Sequence, residues 1–256
     1  MPATPLTHPF SLAVAMALIG GCAVQPPAGS TGICQTPSAP WDPAESVNRG
    51  TFAFNNTVDD YVLAPVARGY RHLPEFAQSG VHNFVANFGE PEVFINDLLQ
   101  GNARRSVNTV GRFALNSTVG IVGLFDVSGR LGMERHKADF GQTFGVWNIA
   151  SGPIVELPLL GTANLRDATG KVLSFVVSPL GDNSDTLDTL STVSTVGGVV
   201  DGRAEALPLT DELSKQPDYY ATLRNTVAEQ RAHFVSEGKQ GAEMDLAQDC
   251  NQEALP

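Results

Sequence analysis

Between Trp41 and Lys239 the apolar residues recur at helical spacing, with little of the strict alternation that marks a half-buried strand. Such a chain folds as packed amphipathic helices. Glu45 to Leu63 sets Val47, Phe54, Val58, Tyr61 and Val62 on one stripe, and Pro65 is expected to end or kink it. Pro74 opens a second helix carrying Phe76, Val81, Phe84, Val85 and Phe88, which Gly89-Glu90-Pro91 should stop. Short helices follow over 92–100 and 102–115. The latter is expected to turn Val107, Val110 and Ala114 inward and Arg104, Arg105 and Arg112 outward. Residues 162–177 and 219–235 complete the set, the last with Tyr220, Leu223, Val227 and Phe234 in register. The plain reading of each stripe is core packing.

Two stretches break the pattern. Asn116 to Leu131 mixes apolar residues with Gly120, Gly123 and Gly129, which permits close backbone approach and weakens any isolated helix. Ser151 to Gly161 holds Pro153 and Pro158, which forbid a helix interior and a central strand. That segment must be extended or hairpin-like. Because irregular apolar backbone needs partners when buried, it is a candidate to face lipid or line a cavity.

At the N-terminus the apolar run from Phe10 runs into Ile19-Gly20-Gly21-Cys22. This reads as a lipoprotein signal (1–21) whose cysteine is acylated and becomes the mature end. Met1 to Phe10 has no Lys or Arg, so the usual basic region is missing. An ordinary cleaved signal with an incidental cysteine stays open. Ala23 after the cysteine favours outer-membrane sorting. Residues 22–40, rich in Pro, Gly, Ser and Thr, form a tether to the 41–239 domain, and 240–256 form an acidic, mobile tail. Cys34 and Cys250 are either a disulfide joining the two tails or two free thiols.

The net charge of −11 lies wholly after residue 21 and argues against nucleic acid. It equally argues against electrostatic attachment to anionic lipid, so membrane contact must be apolar or covalent. The hydrophobic fraction of 42% supports a real core. No mature segment approaches the roughly 18–20 continuous apolar residues of a spanning helix.

Catalytic signatures are missing. Asp126-Val127-Ser128-Gly129 lacks the first glycine of a nucleophile elbow, and there is no H-E-x-x-H, C-x-x-C or phosphate loop. His136 and Asp139 lack a third metal ligand and read as a cap or ion pair, while His72, His82 and His233 read as solvated. Asn55 and Asn116 match a glycosylation pattern but read as capping or turn residues. No enzyme activity, cofactor or metal is assigned.

A family resemblance rests on colinear motifs. They are Asp42-Pro43, Glu45 to Arg49, Phe52 to Asn55, Asp60 to Ala67, Asn87 to Pro91 and Asn96 to Gly101. Arg112 to Gly120, Phe125 to Val127, Asp139 to Trp147, Gly152-Pro153, Leu157 to Gly161, Leu165 to Asp167 and Asp218 to Lys239 continue them. From Trp41 to Lys239 the chain resembles the MlaA (VacJ) outer-membrane lipoproteins. The tails, and the Ser/Thr/Gly-rich stretch 182–207, match poorly.

The resemblance implies an all-α, compact ring of amphipathic helices around a central amphipathic channel, monotopic in the membrane. It implies removal of mislocalised phospholipids from the outer leaflet, beside a trimeric porin, with transfer to the periplasmic carrier MlaC. The expected lipid path comprises Phe140, Phe144, Trp147, Ile154, Leu157 and Leu159, and Cys22 is the lipid anchor. A structural or assembly lipoprotein without lipid transport, or a lipid-acting hydrolase, are the alternatives.

Overall fold

A computed structural model of the chain describes residues 40–177 and 185–253. Cys22, Cys34 and the side chain of Cys250 lie outside the described residues. The fold is mostly helical: α1 (Glu45–Val58), a π-helical turn (Asp59–Leu63), α2 (Ala64–Tyr70), α3 (Glu75–Leu99) and α4 (Ala103–Thr118). Then come α5 (Val127–Arg130), α6 (Phe140–Val146), a hairpin of β1 (Ile154–Leu157) and β2 (Gly161–Asn164), α7 (Leu165–Val177), α8 (Asp185–Leu213) and α9 (Tyr219–Glu253). No described helix is long and apolar enough to cross a membrane.

The proline-bounded segment, expected to be extended or hairpin-like, is a hairpin. Antiparallel pairing sets Ile154 opposite Asn164 and Leu157 opposite Gly161. Residues 162–164, expected to start a helix, lie in its second strand, and α7 begins at Leu165. Two asparagines one helical face apart on α1 clamp this hairpin. Asn48 receives the Glu156 N–H at 3.0 Å and donates to the Ile154 carbonyl at 3.1 Å. Asn55 receives the Leu159 N–H at 2.8 Å and donates to Glu156 Oε1 and the Leu157 carbonyl. Asn55 is thus an interior helix residue gripping a neighbour, not a cap.

Three expected boundaries move. Pro65 does not end the first helix: the π turn leads directly into α2, where proline sits in the first turn and its missing N–H is not needed. Gly89 and Pro91 do not end α3, which runs through both to Leu99. The local cost of an interior proline, about 3 kcal/mol, is outweighed by tertiary bonds on either side of it. Glu90 binds Arg112, and Asn96 accepts from Thr143. The last helix continues past Lys239 to Glu253.

The facing of α4 departs from the expectation at Val107, Val110, Ala114 and Arg112, while Arg104 is exposed as expected and Arg105 is half-buried. Val107 and Val110 are exposed (73% and 48%), and Ala114 with them, whereas Arg112 is 1% exposed. Ser106, Thr109, Arg112 and Asn116 form its buried stripe. On α3 the buried residues are Asn87, Glu90, Asn96 and Asp97, while Phe76, Leu98 and Leu99 are exposed. Among the described residues the contiguous apolar cluster is correspondingly small: Ala64, Ala67, Ala204 and Leu207 between α2 and α8, with Tyr70 against them, while Phe140, Ile154, Tyr220 and Val235 are buried elsewhere. Polarity is turned inside out over much of the molecule.

Candidate polar passage

The interior is a connected polar network. Arg112 binds Glu90 (3.1 Å) and Asp126 (3.1 Å) and donates to the Met133 carbonyl. Asp126 also caps α5 and receives Asn116 and Ser128. Burial pushes the Asp126 carboxyl up, but the bonds from Gly129 N–H, Asn116 and Ser128 and the Arg112 charge outweigh it and hold the pKa at about 2. Asp97 takes Thr109 Oγ1 at 2.8 Å and His136 Nε2 at 2.9 Å. Gln100, Gln142, Thr143 and Asn96 continue the network at 2.7–3.0 Å. Asn116, read as a capping or turn residue, is buried within this network and accepts the Ser128 N–H in the first turn of α5 at 3.0 Å.

Glycines let the elements carrying it close up. A Cβ on Gly170 of α7 would lie 2.4 Å from the Gly141 nitrogen of α6, so these two helices meet backbone to backbone. The expected cap at Asp139 is present: its carboxylate receives the Gln142 N–H at 2.7 Å at the start of α6. Its ion-pair partner is Arg231 of α9, not His136.

Arg231 is the hub. Its guanidinium grips Asp139 through both ends (2.7 and 3.0 Å) and gives Nε to Asp167 at 2.8 Å. Burial would raise the Asp139 pKa, yet the Arg231 bonds and charge hold it below the ordinary carboxylate value. Three cavities meet at this side chain. One, of about 470 Å3, runs between Ala86, Val93, Arg135 and Phe234. A second, of about 440 Å3, is lined by Trp41, Ile149, Ile154 and Val235. The third, of about 160 Å3, lies against Ala163, Lys171 and Val227. Each combines apolar walls with charged or amide groups, and Arg231 lies on the wall of all three.

The six expected path residues occupy different settings. Ile154 is buried and lines the second of these cavities. Phe140 is 4% exposed and packed inside. Phe144 is half-buried and stacks on the exposed Trp147, which donates to the Leu99 carbonyl at 3.0 Å. Leu157 is half-buried in β1, and Leu159 stands exposed at the hairpin tip with φ 64°. Sequence reasoning missed Arg231, Asp167, Arg112 and Glu90. Glu90 and Arg112 lie on α3 and α4, Asp167 on α7 and Arg231 on α9, all inside the family motifs, but a charged residue in a helical pattern reads equally well as part of a solvated face.

The exterior opposite this network is apolar. The loop after α4 exposes Val119, Ile121, Val122, Leu124 and Phe125. Ile121 and Val122 both take the left-handed backbone conformation (φ 52° and 57°), costly for β-branched residues. The loop is pinned by Gly123 N–H to the Asn116 carbonyl (2.8 Å) and Phe125 N–H to the Gly120 carbonyl (2.9 Å). Any side chain at Gly120 would collide with the Phe125 carbonyl at 2.3 Å. Contiguous exposed apolar surface of this kind marks a membrane or partner contact.

Comparison with known proteins agrees with these features. The family model described as MlaA lipoprotein matches residues 40–233. An uncharacterized protein of Rickettsia felis is 34% identical over 76% of this chain and 78% of its own. The intermembrane phospholipid transport system lipoprotein MlaA of Escherichia coli K12 is 32% identical over 89% of this chain and 88% of its own. A solved chain from work on the structural basis for maintenance of bacterial outer membrane lipid asymmetry superposes with TM-score 0.65 at 32% identity, over 76% of this chain and 98% of that one. With the family model spanning most of its length and relatives above 30% identity along nearly all of it, the chain belongs to the MlaA lipoprotein family.

Proposed function

We propose that this chain is an outer-membrane lipoprotein, anchored through acylated Cys22 on the periplasmic face, that returns mislocalised phospholipids from the outer leaflet. The inside-out polarity carries the reading: Arg112 buried on the same helix that exposes Val107 and Val110. In water that arrangement wastes about 25 cal/mol per Å2 of apolar surface; in a lipid leaflet it does not. The apolar exterior therefore sits among acyl chains while the polar interior offers head groups a route past the membrane surface. The names borne by relatives over nearly the whole chain support the same role.

In mechanism, the helices form a ring around the passage centred on Arg231. The head group moves along the charged and amide side chains while its tails follow apolar walls such as Phe234 and Val93. The hairpin bearing Leu157 and Leu159 borders this route and gates it. No bond to the lipid forms or breaks, so no nucleophile is required. A trimeric porin holds the ring in place, and the lipid leaves to the soluble carrier MlaC. The test is expression in a Gram-negative strain lacking its own family member. Surface phospholipid, read by labelling exposed amino head groups, should fall to the parental level. Unchanged labelling with the protein anchored and folded would contradict the transport role and favour a structural lipoprotein.

A further inference from the structure

A separate site lies between α3 and α8. Gly197 and Gly198 let the two helices approach closely: Cβ atoms there would already stand 3.3 and 3.1 Å from Val85. One and two turns further on, Asp201 and Glu205 project from the same face of α8 toward His82 of α3. His82 Nδ1 lies 2.8 Å from Asp201 Oδ2 and 3.2 Å from Glu205 Oε1. The three donor atoms all fall within 4.8 Å of one another. Among the described residues no other three such groups converge.

We propose that His82, Asp201 and Glu205 bind a divalent transition-metal cation, with zinc as the representative ion. Donors around a four-coordinate dication at about 2.0–2.2 Å stand about 3.3–3.6 Å apart, a small outward shift from the 2.8 and 3.2 Å between His82 and the two carboxylates. One imidazole and two carboxylates suit zinc- or manganese-type ions. The other Asp201 oxygen is held by the Tyr70 hydroxyl at 2.9 Å, the kind of outer hydrogen bond that orients a ligating carboxylate. The triad forms part of the wall of a cavity of about 470 Å3 lined also by Arg71, Gln78 and Asn83. That leaves room for water or a fourth ligand. The cation would staple α3 to α8 and cancel the repulsion between the two carboxylates. A protonated His82 bridging the same carboxylates is the competing state, and the experiment separates them.

The full-length protein in detergent, stripped of metal and carrying Cys34→Ser and Cys250→Ser to remove thiol binding, is titrated with zinc alone. The expected result is one saturable zinc per chain and a raised unfolding midpoint. Glu205→Gln should weaken binding at least tenfold, and Tyr70→Phe, which leaves every ligand in place, about 10-fold or more. Cobalt in place of zinc should give a visible d–d band that His82→Gln abolishes. Circular dichroism of each variant confirms the fold. No saturable zinc, or equal zinc affinity in the parent and in folded Glu205→Gln and Tyr70→Phe, would overturn the site.

Discussion

Arg112 Nε and Glu90 Oε1 face each other at 3.1 Å inside the helical array, with side-chain exposures of 1% and 3%. Two helices whose outer faces are apolar thus meet through a buried ion pair. The wider network satisfies it: Asp126 and the Met133 carbonyl take the remaining Arg112 nitrogens, and Arg135 approaches Glu90 at 3.8 Å. Burial pushes the Glu90 carboxyl up even so.

Removing one partner strands the other. Arg112→Leu should cost about 3–5 kcal/mol in denaturant unfolding, because Glu90 is left charged and buried. Arg112→Met combined with Glu90→Leu should recover much of that loss. If the double variant is no more stable than Arg112→Leu alone, the pair is not a coupled unit.

Asp126 links this network to acid stability. Its folded pKa of about 2 lies below the ordinary 3.8, so its contribution is fully present above pH 4 and is lost as pH falls toward 2. Ser128→Ala removes one bond to the carboxylate. The unfolding transition on acidification should therefore move to higher pH, with little change in its response above pH 5. Circular dichroism across that range measures it.

The hairpin is held by α1 as well as by its own two short strands. Asn55→Ala leaves the Leu159 N–H without its acceptor, and the Glu156 carboxylate and the Leu157 carbonyl without their donor. A loss of about 1–3 kcal/mol is expected, with faster amide exchange confined to residues 154–164. Exchange that is uniform across the chain would mean the clamp is global instead.

Much of this architecture was legible from sequence. Proline at 153 and 158 required an extended or hairpin-like segment, the Asp139 cap was visible beside α6, and the helical period located the longer helices other than α8. The direction each helix faces was not. Periodicity shows that Val107 and Val110 share one stripe and Arg112 another; it does not say which is interior. That choice depends on the surrounding solvent, and the assumption of water put Arg112 outside. Helix ends at Gly89 and Pro91 failed for a different reason: local propensity was outweighed by the distant partners Arg112 and Thr143. Arg231 was hidden because its importance comes from Asp139 and Asp167, remote in sequence and joined only by the fold.

Close packing of α6 on α7 gives a sharp steric test. Gly170→Ala places a methyl 2.4 Å from the Gly141 nitrogen, where no flexible side chain can yield. Overpacking of this kind costs about 1–3 kcal/mol. The Arg231 cluster behind it should loosen, seen as a lower thermal midpoint. Gly101→Ala offers a contrast: its Cβ meets nothing, and only its left-handed φ of 77° resists.

An apolar exterior that faces lipid, around a polar interior that does not, has a direct readout in site-directed spin labels at Val107, Val110 and Ile121 on the full-length protein reconstituted in bilayers, through collision with oxygen and with a water-soluble nickel chelate. Oxygen-favoured collision is expected at all three positions, as for acyl-chain surroundings. Chelate access equal to that of a label at the surface residue Lys215 would place these residues in water and contradict it.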